Sequence, residues 1–259
     1  LPFTWNVIDH AALIAKEFDV PVKTVLSRED DMQQDYYRPA VASNFKAAFD
    51  SSGLVRGWQN RFTGPVQTPG AAHIPYAIDN QSIRVVDGTT HIPIAAWRSV
   101  DHSQQTFFTE SFIDEIADTA GTDPWQYRHD LLASAPRFQK VLDLAAEKAN
   151  WGAPLPENHG RGIAIHKSFG TIVAEVVEVE VVAGKVSTRR VICVVDAGFA
   201  MHPDGLKAQM ESGIVYGLTA ALYGNISIDR GAVTQSNFHD YQMLRMNESP
   251  EIETYIINS

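Results

Sequence analysis

GIAIHKSFGTIVAEVVEVEVVAGKVSTRRVICVV, residues 162–195, is the stretch on which the fold turns. It contains three β-rich runs, Gly162 to His166, Thr171 to Val182 and Lys185 to Val195, of the kind that suits a pleated, half-buried surface. Ala183-Gly184 separates the second run from the third as a two-residue link ending in glycine, which predicts a hairpin. The first run meets the second through Ile165-His166-Lys167-Ser168-Phe169-Gly170, a polar connection closed by glycine.

Upstream the period changes from strand to helix. Thr106 to Ala120 places Phe107, Phe108, Phe112, Ile113 and Ile116 on one side, and Thr122-Asp123-Pro124 offers a cap followed by proline in the first turn. Arg137 to Ala149 completes a helical group. Nearer the start, a helix is expected over Asn6 to Phe18 and a strand over Val22 to Leu26. A hairpin is expected around Ser51-Ser52-Gly53, with arms Ala40 to Phe49 and Leu54 to Phe62. Gly64 to Tyr76, with its prolines and glycines, reads as a loop suited to lie over a ligand. Downstream, a helix over Asp204 to Tyr223 carries Gly213 and Gly217 in its interior, which costs about 1 kcal/mol each against alanine unless something packs closely there. Short strands at Asn225 to Ile228 and Ala232 to Gln235 flank the turn Asp229-Arg230-Gly231, and Ile252 to Ser259 forms an apolar strand-like run. Runs of strands set apart from runs of helices give an α+β fold with mixed sheets and packed helices. Trp151 to Arg161 reads as a linker dividing residues 1–150 from 151–259.

The composition of the 259 residues, 44% hydrophobic and 20% charged, is that of an ordinary globular chain and excludes disordered and fibrous classes. A net charge of −10 argues against a phosphate-backbone partner such as nucleic acid. With Cys193 as the single cysteine, neither an intrachain disulfide nor an iron–sulfur cluster nor a cysteine-rich zinc site can form. No apolar run reaches the roughly 20 residues of a membrane span. Leu1 in place of methionine, and a terminal strand that stops without a turn signal, read as cut ends of a longer polypeptide.

Histidine lies beside aspartate at 9–10, 101–102, 129–130 and 239–240, but neighbours on a strand point to opposite faces, and no His-Glu-x-x-His or Cys/His ligand spacing exists. No protein-ligated metal is expected. A Gly-x-Ser-x-Gly elbow, a Gly-x-Gly-x-x-Gly fingerprint and a Walker lysine loop are all missing. Ser103 reads as a hydroxyl capping a helix that begins near Thr106. Three polar segments at element ends then remain: Trp97 to Gln105, Ile165 to Gly170 and Gln235 to Tyr241. Each is either a plain polar loop or a place where backbone amides meet an anionic ligand.

Taken in order, these segments resemble the molybdopterin-binding subunit of the xanthine dehydrogenase and aldehyde oxidase superfamily, most closely the isoquinoline 1-oxidoreductase β-subunit group. The likeness runs from about Pro21 to Ser259 through Ser27-Arg28-Glu29-Asp30-Asp31-Met32, Tyr37-Arg38-Pro39, Trp97-Arg98-Ser99-Val100, His102-Ser103-Gln104 and Glu110 to Glu115. It continues through Asp123-Pro124, Gly162-Ile163-Ala164, Gly217-Leu218, Ala221 to Gly224, Ser236 to Tyr241 and Leu244-Arg245-Met246.

The resemblance implies a molybdenum ion held by the dithiolene of a pyranopterin, usually as the cytosine dinucleotide, rather than by side chains. It places Trp97, Arg98, Ser99, Val100, His102 and Ser103 beside the pterin and Ser168, Phe169 and Gly170 in a second cofactor loop. It puts Gln209 on the helix that meets the cofactor and makes Ser236 and Asn237 a further polar contact. The implied reaction is hydroxylation of an N-heterocycle or aldehyde with water as the oxygen source and a glutamate as base, electrons passing to a small subunit with two [2Fe-2S] clusters. That glutamate sits in a Gly-Glu-Pro-Gly-like segment expected beyond Ser259, so no catalytic residue is assigned here. Relatives are bacterial, cytoplasmic or periplasmic. Three positions depart from the family pattern: Asp101 for glycine, His202 for asparagine and Ser212 for glycine. A carboxylate at Asp101 would repel an anionic ligand if it faced it. A non-catalytic scaffold that kept the fold and lost the cofactor is the alternative these departures leave open.

Overall fold

A computed structural model describes residues 6–65, 68–86, 88 and 90–259. Part of the loop expected over Gly64 to Tyr76 lies outside the described residues.

The chain opens with α1 (Asn6–Ala15) and α2 (Arg28–Gln34). Ser27 caps α2 by accepting from the Asp30 N–H, while the Asp30 side chain accepts from the Ser27 N–H, a reciprocal box that satisfies two end donors. The strand expected over Val22 to Leu26 is irregular instead, with Val25 75% exposed. Its β-branched composition suits a sheet, but composition does not supply a neighbouring strand.

The expected hairpin is β1 (Ala42–Phe49) with β2 (Val55–Thr63), antiparallel. Asp50 closes its turn by accepting from the Ser52 N–H and hydroxyl and the Leu54 N–H. A further strand, β3 (Asn80–Val86), adds parallel to β2. Most of its side chains are exposed and it opens on the polar run Asn80-Gln81-Ser82, so only Ile83-Arg84-Val85 shows the apolar alternation by which a strand is read.

The helical group follows as α3 (His102–Thr119), α4 (Pro124–Leu131) and α5 (Pro136–Lys148). Asp123 caps α4 as expected, accepting from the N–H groups of Trp125 and Gln126 at 2.9 and 3.0 Å. Since α3 begins at His102, Ser103 lies inside its first turn rather than capping it.

The stretch quoted first forms β4 (His159–Ser168), β5 (Thr171–Val182) and β6 (Lys185–Asp196), an antiparallel meander. β4 starts inside the presumed linker. Ala183 and Gly184 take φ of 50° and 78°, the left-handed pair of a tight hairpin turn. After β6 come α6 (Pro203–Leu222), a two-residue hairpin of β7 (Ile228–Asp229) and β8 (Ala232–Val233), and β9 (Glu251–Ile257), which lies parallel to β6. The flanking strands expected at Asn225 to Gln235 are thus shorter than read.

One face of the four-stranded sheet carries Ile163, Ile165, Ile172, Ala174, Val176, Ile192, Val194 and Ile257. It shares a continuous core with Trp58 of the first sheet, Ile113 of α3 and Leu142 of α5. The other face packs Val191 and Cys193 against Ile214 of α6. Coverage on both faces is why β6 is buried without a break from Val191 to Asp196. Arg128, fully buried, binds Glu110 and Asp114 and donates to the Glu110 and Pro124 carbonyls. Glu110 also accepts from Tyr76 Oη at 2.8 Å and from the Ile165 N–H at 3.0 Å, fastening β4 to α3 one residue before His166. No helix among the described residues is long and apolar enough to cross a membrane.

Candidate cofactor-binding site

Two of the polar segments and the start of α6 meet at one place. The segment ahead of α3 bends sharply: Ser99 and Val100 take φ of 79° and 42°, and the Val100 N–H donates to the Trp97 carbonyl at 2.8 Å. A left-handed β-branched residue is strained, and strain of about 1–3 kcal/mol per residue is held where the surroundings fix the geometry. This bend presents Arg98 toward α6, where its Nη2 donates to Gln209 Oε1 across 111 positions of sequence. His102, at the head of α3, puts Nδ1 2.8 Å from His166 Nε2, and its ring lies 5.2 Å from that of Phe169. Phe169 and Gly170, with φ of 48° and 92°, form the two-residue turn between β4 and β5, which leaves Phe169 exposed and Ser168 paired across the hairpin with Thr171. Burial pushes the His166 imidazole down to about 4, with a smaller push from His102; burial also lowers His102, partly offset by Asp101. The His166 ring is thus neutral at neutral pH.

Arg38 supports the bend from behind. Its guanidinium stacks on Trp97 at 5.0 Å and donates to the Val100 carbonyl at 3.3 Å and to the Ser103 hydroxyl. Sequence analysis assigns Arg38 no role in the site and includes His166 only as a member of the Ile165 to Gly170 segment. Each stood in a quoted motif, but which motif neighbours touch is decided by tertiary packing.

Ser236 and Asn237 are placed otherwise. Asp240 accepts from both of their N–H groups and from the Ser236 hydroxyl, while Asn237 Nδ2 donates to Glu29 Oε1 at 2.6 Å. The Arg28 guanidinium lies over Phe238, so this third segment docks on α2. Among the described residues none of the hydrogen bonds of Ser236 or Asn237 reaches Arg98, His102 or Gln209.

The three departures have concrete positions. Asp101 is 2% exposed, and its carboxylate accepts from the Thr68 N–H and hydroxyl and from Gln104 Nε2, so the charge is turned inward. His202 caps α6: its Nδ1 accepts from the Gly205 N–H at 2.8 Å, the task an asparagine oxygen would perform. Ser212 lines an open cleft between α6 and β9 with Val215, Tyr216, Pro250 and Ile252. Beyond the adjoining residues and backbone of α6 itself, Gly213 and Gly217 have no atom within 4 Å of where a Cβ would stand, so the close packing expected at them does not come from the described residues.

A guanidinium, a neutral amide, an imidazole and the Ser103 hydroxyl gather here, and the one carboxylate of the bend is withdrawn. Such a donor set matches an anionic, hydrogen-bond-rich heterocycle carrying phosphates. In this α+β chain the set is presented from two loops and a helix start.

Two family models, each described as a molybdopterin cofactor-binding domain, match residues 3–131 and 84–250, and the chain belongs to that family. Among curated proteins it is 31% identical over 273 residues to the isoquinoline 1-oxidoreductase subunit beta of Brevundimonas diminuta, covering 96% of this chain and 35% of that protein. It is 27% identical over 296 residues to the membrane-bound aldehyde dehydrogenase [pyrroloquinoline-quinone] of Gluconacetobacter polyoxogenes, covering 96% of this chain and 38% of that protein. The chain thus spans a little over a third of the length of these relatives. Quinoline 2-oxidoreductase from Pseudomonas putida 86 shares the fold, with a TM-score of 0.81 at 11% identity over 95% of this chain and 58% of that one.

Proposed function

We propose that this chain is the pterin-holding part of a molybdenum hydroxylase acting on an N-heterocycle or an aldehyde, with the cofactor in its cytosine dinucleotide form. The contact between Arg98 and Gln209 carries the reading, because it ties the bend ahead of α3 to the start of α6 beside His102 and Phe169. When bound, the molybdenum–pterin group would supply two-electron oxidation of a substrate carbon, with oxygen from water.

The residues of this chain have holding and orienting tasks. Arg98 and Gln209 donate to the acceptor-rich edge of the ligand, His102, Ser99 and Ser103 offer further hydrogen bonds, and the Ser168-Phe169-Gly170 turn closes one side with an aromatic ring. Ser236 and Asn237 contribute from the α2 side. Residues 1–150 supply the first wall and 151–259 the second. The proton-abstracting base is a glutamate in a Gly-Glu-Pro-Gly-like segment outside these residues, and electrons leave to a small subunit with two [2Fe-2S] clusters. The substrate classes are those in the names of the relatives, isoquinoline and aldehyde.

Metal and nucleotide analysis of the purified protein with its partner subunit tests this. Molybdenum and a cytosine nucleotide are expected together, and R98A or Q209A lowers both by about tenfold, roughly 1.4 kcal/mol of lost binding. Absence of molybdenum and nucleotide from the unaltered protein sinks the reading in favour of a scaffold.

A further inference from the structure

We propose that Arg137 is a positioning residue of the site: it clamps the turn at Phe169 and Gly170 to the connection between β6 and α6, and so sets the spacing of two walls that meet the bound group. This rests on the cofactor-binding reading above.

Arg137 stands in the first turn of α5, where a cation gains nothing from the helix dipole, so its place is set by partners outside the helix. Those partners lie on two other segments. Its Nε donates to Asp196 Oδ2 at 2.7 Å, its Nη2 to Asp196 Oδ1 at 2.8 Å and to the Asp196 carbonyl at 3.1 Å, and its Nη1 to the Gly170 carbonyl at 3.3 Å. A planar guanidinium spans such a set because its donors point along fixed, diverging directions, which a compact lysine ammonium does not offer.

Asp196 anchors the other side. It ends β6, pairs with Ile172 of β5 and Ile257 of β9, and is 1% exposed. Its Oδ1 also accepts from the Gly198 N–H at 3.0 Å and from Ser259 Oγ at 2.8 Å. The Arg137 guanidinium holds its carboxyl well below the usual carboxylate range, so Asp196 is charged at neutral pH. Gly170 and Gly198 take φ of 92° and 79°, so each tether point lies in a left-handed turn rather than in a regular ladder. The connection after β6 has little anchorage through its large side chains, because Phe199 and Met201 are 79% and 87% exposed. It leads to His202, which caps α6, and α6 carries Gln209 to Arg98. The turn carries Phe169 to the His102 ring. A side chain that stands behind the site thus fixes one wall against the other, as preorganised sites require.

Two variants separate this role from simple charge pairing. R137M leaves Asp196 buried without its cation, which lowers stability whatever the pair does. R137M combined with D196N removes that charge and keeps an oxygen for Gly198 and Ser259, while the tie to Gly170 stays broken. The readouts, on protein purified with its partner subunit, are the thermal midpoint, the molybdenum and nucleotide retained after gel filtration, and hydrogen–deuterium exchange at 168–171 and 197–202. R137M is expected to lower the midpoint and the double variant to restore it. Both are expected to lose at least fivefold of the molybdenum and to exchange at least fivefold faster in those two segments. Retention near the unaltered level in the double variant would reduce Arg137 to a counter-charge and overturn the proposal. Unchanged exchange at either segment, or faster exchange throughout the chain with no recovery of the midpoint, does the same. Should the unaltered protein hold no molybdenum, the cofactor reading fails, and exchange alone still decides whether Arg137 joins the two segments. Should R137M fail to fold, the double variant decides by the same readouts.

Discussion

Glu175 shows how a side chain that no motif contains can set the behaviour of the protein with pH. It sits on the α6 side of β5, opposite Cys193, where burial raises its carboxyl to about 7 despite a hydrogen bond from the thiol that lowers it. Cys193 in turn is pushed up, first by burial and then by Glu175, and stays a thiol. A carboxyl raised on folding binds its proton more tightly in the native state. Its stabilisation is therefore complete below the unfolded value of 4.5 and is lost as pH rises through about 7. His166 has the opposite sign: lowered from 6.5 to about 4, it costs stability as pH falls through that window. Comparing Glu175→Gln with the unaltered protein at the same pH cancels the histidine. Thermal and denaturant unfolding should show the variant gaining about 2 kcal/mol on the unaltered protein between pH 5.5 and 8.5. An advantage that does not change with pH would show that Glu175 ionises freely.

Among the elements, α3 joins the site to the rest of the fold. It begins with His102, and two turns later Glu110 holds Arg128, Tyr76 and the Ile165 N–H together. The acidic neighbours Glu110 and Asp114 raise Arg128 against the lowering by burial. Arg128→Ala would leave Glu110 buried at 5% exposure without its partner, at a cost of about 3–5 kcal/mol, with a corresponding fall in thermal midpoint. A change below 1 kcal/mol would mean the network is dispensable. The start of α3 was hard to read because His102 to Gln105 is polar throughout, and α3 is recognisable only from Phe107 onward. β5 and β6 were legible because covered strands are rich in β-branched residues, whereas β3 opens on the polar run Asn80-Gln81-Ser82 and is mostly exposed. The loop residues 97–103 and 168–170 entered the proposed site through family resemblance. That His166 meets His102, and that Ser236 and Asn237 dock on α2, are facts of packing between distant segments that no local pattern encodes.

At the scale of the whole molecule, a continuous core runs from Trp58 through Ile113 and Leu142 to Val194, so the segments that carry the site are mounted on one framework. Such a framework preorganises a ligand site at low entropic cost, which suits a cofactor that must stay bound through many turnovers. The net charge of −10 makes it all the more telling that the site gathers donors and turns its one carboxylate inward. In the proposed function, residues 97–103, the turn 166–170 and the start of α6 together hold molybdopterin. Hydrogen–deuterium exchange of the protein with and without its cofactor tests it most directly. Slower exchange on loading is expected in those three segments, with the β1–β2 hairpin unchanged. Protection confined to other parts of the chain, with these three segments exchanging alike in both forms, would contradict it.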